Sequence, residues 1–200
     1  MIFEEKKIDS QRIYEGAILN VRRDRVTAVK GQAFREIIEH NGAVAIVPIT
    51  DDGNVVMVEQ YRYACGQTVL EIPAGKIDKG ETDPAQVAAR ELREETGYSA
   101  ETVKYLGKIN TSVAYSEEVI HIYAMTGLSA GQQDLDDDEA INVVEMPFEE
   151  ACRMASGGQL IDAKTVAGLF MAKEHIASMM QPVNIRMQDA ADTSSRPFFS

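Results

Sequence analysis

Two hundred residues, 44% of them apolar, suffice to enclose one core, so a single globular unit with at most a small appended element is expected. A formal charge of −12 argues against nucleic acid as a partner, because binders of that polyanion carry a clustered basic footprint. No window approaches the roughly 18 apolar residues of a membrane span, and the apolar start at Met1 to Lys7 is too short for a signal peptide.

Cys65 and Cys152 lie far apart and form no C-x-x-C pair, so neither a disulfide framework nor a zinc site is implied, and a reducing cytoplasm is the expected compartment. The charge is unevenly spread. Residues 1 to 35 hold eight Lys or Arg against five acids, whereas residues 129 to 150 hold eight acids and no Lys or Arg. The first region suits an anionic substrate and the second a cation, although solvated surface also accounts for most single charges of this kind.

Residues 9 to 40 alternate short apolar runs with charges, at Ile18 to Val21, Val26 to Val29 and Phe34 to Ile38, which predicts antiparallel strands joined by turns. Gly42 to Ile49 is nearly continuous apolar sequence, stopped by Asp51-Asp52-Gly53 and resumed at Val55 to Gln60, which predicts a hairpin. A further strand is expected at Thr68 to Ile72, ending where Pro73-Ala74-Gly75 interrupts the ladder. Asp83-Pro84 is an N-cap followed by proline at the first helical position, and Gly97 stands where a C-terminal glycine belongs, so one helix covers Pro84 to Thr96.

Strands follow at Val103 to Ile109, Glu118 to Met125 and Ile141 to Met146, then a short helix from Pro147 to Gly157-Gly158. Asp162 caps a last helix whose apolar face includes Val166, Leu169, Phe170 and Ile176, and Pro182 marks its latest end. The chain thus divides into an N-terminal strand region at 1–40, a main domain at 41–180 and a tail at 181–200.

The run Arg90-Glu91-Leu92-Arg93-Glu94-Glu95 falls in the second half of the predicted helix. Glu91 and Glu95, four residues apart, share a face with Cβ atoms roughly 5 to 6 Å apart, close enough to hold one hard cation, with Glu94 at its edge. Without a cation such like charges repel, and carboxylate oxygens select Mg²⁺, Mn²⁺ or Ca²⁺. On the helix alone a solvated acidic face and a metal site are both open. The loop Lys76-Ile77-Asp78-Lys79-Gly80 favours the metal, because it turns the chain back to Glu81 and leaves the Ala74 or Gly75 carbonyl beside the carboxylates.

These residues resemble the signature of the Nudix hydrolases: G, five residues, E, seven residues, then R-E-U-x-E-E-x-G-U, with U bulky and apolar. The chain supplies Gly75, Glu81, Arg90, Glu91, Leu92, Glu94, Glu95, Gly97 and Tyr98. It departs from the pattern in one respect, since eight residues separate Glu81 from Arg90; the extra one falls in Thr82 to Pro84, ahead of the helix. The resemblance implies an α/β fold, a mixed sheet between helices with the N-terminal antiparallel strands added. It implies Mg²⁺, with Mn²⁺ as a substitute, on Glu91, Glu94, Glu95 and the Ala74 carbonyl, with Arg90 structural and Glu81 its partner or a further metal contact.

Glu59-Gln60-Tyr61-Arg62, Glu71-Ile72-Pro73-Ala74-Gly75 and Asp162-Ala163-Lys164-Thr165 look like the ADP-ribose pyrophosphatase branch of that family. That branch implies a homodimer swapped through its N-terminal strands, hydrolysis of ADP-ribose to AMP and ribose 5-phosphate, and substrate contacts from Arg35, Arg62 and Glu118. The base would come from Leu135-Asp136-Asp137-Asp138-Glu139, with Glu139 favoured over the shorter Asp137. One marker differs: enzymes of that branch carry S-P-G-F-x-x-E where this chain reads Ser112-Val113-Ala114-Tyr115-Ser116-Glu117-Glu118. Another nucleoside diphosphate sugar such as GDP-mannose is therefore the alternative substrate, and a non-catalytic nucleotide-sugar sensor the alternative outside catalysis. His40, His121 and His175 each lie far in sequence from any second ligand candidate and read as structural.

Overall fold

The computed structural model describes residues 2–137 and 139–180, so the tail at 181–200, with Pro182, lies outside the described residues. The N-terminal strands β1 (Lys7–Glu15), β2 (Asn20–Thr27) and β3 (Gln32–Glu39) form an antiparallel sheet in sequence order. The runs predicted separately at 18–21 and 26–29 thus contribute to one strand, β2. Every residue of β1 is exposed, so it offers no buried stripe to read in the sequence.

The next two strands overturn the predicted hairpin. A turn does form, with Gly53 N–H donating to Thr50 O at 2.9 Å and an isolated bridge between Ile49 and Val55. Beyond it β4 (Ala43–Pro48) and β5 (Asn54–Arg62) part into different sheets. Pro48 has no N–H with which to continue a ladder. β4 is also buried along its whole length, and such a strand takes neighbours on both edges.

Those neighbours are β7 (Ala74–Lys76), antiparallel, and β9 (Val119–Ser129), parallel; β8 (Ser99–Asn110) completes the mixed sheet in the order β7-β4-β9-β8. β5 instead pairs with β6 (Gln67–Glu71) and β10 (Ile141–Pro147). Pro73 therefore does not end all pairing, since Ala74 to Lys76 resume it against β4.

Helices α1 (Pro84–Thr96), α2 (Phe148–Ser156) and α3 (Ala163–Met180) complete the described fold. The mixed sheet lies between α1 and α3. Alternate residues of β4 serve two cores: Val44 and Ile46 meet Val87, Ala88 and Leu92 of α1, while Ala45 and Val47 join Leu169 and Ala172 of α3. Each of the larger of these side chains contributes about 1.5–3 kcal/mol on burial. Phe170 is 40% exposed and lies off the buried stripe, which Thr165, Leu169 and Ala172 define instead. Among the described residues no helix is long and apolar enough to cross a membrane.

Candidate active site

Local signals place α1. Asp83 Oδ1 accepts from Ala85 N–H at 3.0 Å, Pro84 opens the first turn, and Gly97 adopts φ 77° at the C-terminus. The helix buries Val87, Ala88 and Leu92 and, on the same stripe, Glu95. An acid in that position is costly unless something satisfies it. Ala74 N–H donates to Glu95 Oε2 at 3.0 Å, which fastens β7 to the helix.

One turn earlier, the Glu91 carboxylate lies in the space that a Cβ on Gly75 would fill. Gly75 is therefore needed for close approach rather than for an unusual φ. Burial pushes Glu91 up to about 7; Arg90 opposes the shift and Glu94 and Glu139 add to it. Glu95 is pushed up to about 8, again by burial first, with the Ala74 bond opposing and the charges of Glu91 and Glu139 adding. Two desolvated carboxylates side by side, when ionised, are an uncompensated negative charge that a hard divalent cation would relieve.

Arg90 supplies part of that charge. It spans Glu81 at 3.4 Å, Glu91 at 3.0 Å and Glu94 at 2.7 Å. Among the described residues no three His, Cys, Asp or Glu side chains converge as a ready metal cage. The donor set nevertheless fits Mg²⁺: carboxylate oxygens on one helix face, docked against a backbone strand. Despite the extra residue between them, Glu81 reaches Arg90 at 3.4 Å, and Glu81 Oε2 also accepts from Asp78 N–H at 2.8 Å in the turn before it.

The cleft in front of these groups has a volume of about 710 Å³. Ala74, Gly75, Glu91, Glu94 and Glu95 line it. Glu139, Arg62 and Glu118 face it from three other elements. Asp136 lines it as well, whereas Asp137 does not. Glu118 Oε2 accepts from Thr111 Oγ1 at 2.5 Å, and its other oxygen lies 3.6 Å from His40 Nε2. Arg35 is absent from the lining of its own chain's cleft; it is held on β3 by Glu5, with Nε to Oε2 at 3.0 Å.

The sequence reading left Glu71 without a role. Its side chain is 3% exposed and accepts from Arg62 Nε at 2.7 Å and Arg62 NH2 at 2.8 Å, while Lys164 Nζ donates to Oε2. Burial would raise its pKa, but the bonds to Arg62 and the charge of Lys164 outweigh that and hold it below the ordinary value. Lys164 also bonds Asp162 Oδ2 at 3.0 Å, and Asp162 caps α3 through Thr165 N–H at 3.0 Å. Thr165 Oγ1 in turn accepts from Ile72 N–H at 2.9 Å. A signal was present in the strand: Glu71 shares a face with Val69, two residues before it, and an acid beside a core position announces a buried partner.

The model of the NUDIX domain matches residues 39–169. The chain is 42% identical over 168 residues to the methanol dehydrogenase activator of Bacillus methanolicus, covering 82% of this chain and 90% of that protein. It is 38% identical over 165 residues to the ADP-ribose pyrophosphatase of Bacillus subtilis, covering 81% and 89%. It is 35% identical over 155 residues to the GDP-mannose pyrophosphatase of Yersinia enterocolitica, covering 72% and 80%. The solved structure of an ADP compounds hydrolase superposes with a TM-score of 0.80 at 22% identity, over 91% of this chain and 99% of that one, and so shares its fold.

Proposed function

The chain belongs to the Nudix family and is a Nudix pyrophosphohydrolase, and we propose that it hydrolyses the diphosphate linkage of a nucleoside diphosphate sugar, ADP-ribose foremost, to AMP and ribose 5-phosphate. The observation that carries this reading is the seating of Glu91 over Gly75 beside buried Glu95, two carboxylates packed so closely that they ionise only with a compensating cation or at raised pH. Glu91, Glu94, Glu95 and the Ala74 carbonyl would hold Mg²⁺, or Mn²⁺ in its place. Such an ion, when bound, supplies positive charge at the diphosphate and acidifies the attacking water.

Glu139 takes the proton from that water, since it is the member of its pair that lines the cleft. Arg62, fixed by Glu71, and Glu118, fixed by Thr111, orient the substrate. Arg90 holds the helical glutamates apart from one another and takes no part in bond cleavage. We place Arg35 at the cleft of a second copy, in a homodimer built through the β1–β3 sheet. Ile13 at 48% exposure and Phe34 at 59% on that sheet support such an interface. Light scattering should give twice the monomer mass, and Ile13→Asp should halve it.

GDP-mannose is the second reading, favoured by Val113-Ala114 in place of proline and glycine and by the Yersinia relative. A sensor without turnover is disfavoured by the retention of Glu91, Glu94 and Glu95. The deciding experiment incubates the protein with Mg²⁺ or Mn²⁺ and a panel of nucleoside diphosphate sugars and assays phosphate-ester products. ADP-ribose should turn over fastest, and Glu95→Gln should abolish turnover with the fold intact. A Glu95→Gln enzyme as fast as the parent would remove the metal assignment, and no turnover across the panel would leave the sensor.

A further inference from the structure

We propose that Gln133 is a positioning residue for hydrolysis: its side-chain amide clips the acidic loop onto the last turn of α1 and so sets Glu139 against the glutamates of that helix. The inference rests on the reading of Glu139 as the base.

The last carbonyls of a helix have no partner inside it. In α1 the carbonyls of Arg93, Glu94 and Glu95 are of this kind and are met at the cap or from another segment, while that of Leu92 just before them takes an added side-chain bond. Thr96 Oγ1 donates to Leu92 O at 2.5 Å and Gly97 N–H to Arg93 O at 2.8 Å, both local devices. Asp134 N–H donates to Glu94 O at 3.0 Å and Gln133 Nε2 to Glu95 O at 2.6 Å, both from the segment between β9 and β10. The carbonyls so engaged belong to Glu94 and Glu95, two of the three helical glutamates that line the cleft. Helix end and acidic loop therefore share one set of hydrogen bonds.

The same amide lies 3.4 Å from Ile141 O, the first residue of β10. Gln133 thus ties the loop at its entry and its exit. Backbone packing reinforces the clip: a Cβ on Gly131 would stand 2.7 Å from Gly97 O, and one on Gly97 would stand 3.0 Å from Gln132 C. Between the tied ends the loop folds on itself, Glu139 N–H donating to Asp136 O at 3.0 Å and Asp136 N–H lying 3.3 Å from Glu139 Oε2. Asp136 and Glu139 then line the cleft opposite α1. A neutral amide suits this place, because it donates to carbonyls without adding charge, whereas a carboxylate would repel them.

A loop released from α1 leaves Glu139 free to drift, and a displacement of about 1 Å at a reacting group costs on the order of 100-fold in rate. The test compares Gln133→Met, which keeps length but cannot donate, with Gln133→Lys, which restores a donor in a place where cations are favoured. Gln133→Met should lower kcat about 10- to 100-fold, as loss of supporting partners around a metal site does, with KM nearly unchanged. Gln133→Lys should recover most of the loss. In a Glu139→Gln background the methionine should cost less than about twofold more, since two residues acting through one group are not additive.

Parental kcat in Gln133→Met overturns the inference, as does a further tenfold loss in the Glu139→Gln background. Glu139→Gln turning over like the parent removes the base assignment itself and this inference with it, a result distinguishable from the other two.

Discussion

The carboxylate of Glu91 and the backbone of Gly75 occupy a shared space in which no Cβ fits. The glycine that opens the signature and its first helical glutamate are therefore one device, made by docking α1 on β7. Gly75→Ala should push the Glu91 carboxylate off the strand. Overpacking of this kind costs about 1–3 kcal/mol, readable by urea titration. Turnover should fall much further than stability, because Glu91 leaves the proposed cation site while the core of α1 stays intact. Parental kcat in Gly75→Ala would mean that the seating of Glu91 has no part in the reaction.

Glu95 and Glu91 give the protein without metal an inverted response to pH. Their folded pKa values, about 8 and about 7, lie above the ordinary carboxyl value of 4.5, so the folded state binds protons more tightly than the unfolded. Between about 4.5 and 8 the contribution of these groups to stability therefore falls as pH rises, and then levels. In EDTA the Tm of the parent should drop over this range, and that of Glu95→Gln should drop less. Mg²⁺ should restore the parent's Tm most at the alkaline end, where it competes with fewer protons. A Mg²⁺ effect that is equal at pH 6 and pH 8.5 would count against ligation by these carboxylates.

How much of this was legible in the sequence depends on how local each signal is. Asp83-Pro84 and Gly97 mark both ends of α1 to the residue, because caps act within one turn. The glutamates between them carry their spacing in the chain. The hairpin at Asp51-Asp52-Gly53 failed because two apolar runs beside a turn look alike whether they pair with each other or with strands elsewhere. Pro48 was the one mark against it. Gln133 has no local signature at all: its partner Glu95 is 38 residues away, and only the folded chain brings them together. Glu71 is intermediate, visible as an acid on the same strand face as Val69 but silent about Arg62 and Lys164.

The network around Glu71 predicts a stability effect separate from the proposed metal site. Removing one member of a buried ion cluster leaves the others uncompensated, at a cost of about 3–5 kcal/mol. Glu71→Leu should fall at or below the lower end of that range in urea titration, because Lys164 keeps Asp162 at 3.0 Å and Arg62, 43% exposed, turns to solvent when its acceptor is lost. Its dependence on pH runs opposite to that of Glu95. Arg62 and Lys164 hold the folded pKa of Glu71 below the ordinary 4.5, so its contribution is present above that value and is lost as pH falls through the lower one. The parent should consequently lose Tm on acidification in the range below pH 4.5, and Glu71→Leu should lose less of it.

Substrate choice should respond to the loop from Ser112 to Glu118. Its C-terminal half is anchored: Ile38 N–H donates to Tyr115 O at 2.8 Å, Glu117 N–H donates to Ile38 O at 3.0 Å, and Arg22 bonds Glu117 at 2.5 Å. Val113, between Ser112 and these anchors, is 86% exposed, so a substitution there alters the path of the loop without touching the core. Val113→Pro with Ala114→Gly fixes one φ and frees the next, and the loop that results presents Glu118 to the cleft along a different course. Changes in a few pocket contacts alter discrimination by roughly 10- to 200-fold. The double variant should raise the ratio of kcat/KM for ADP-ribose over GDP-mannose by at least the lower of these, with Tm near the parent's. An unchanged ratio would place the choice of sugar nucleotide outside this loop, leaving Arg62 and the face of β3 as the next elements to vary.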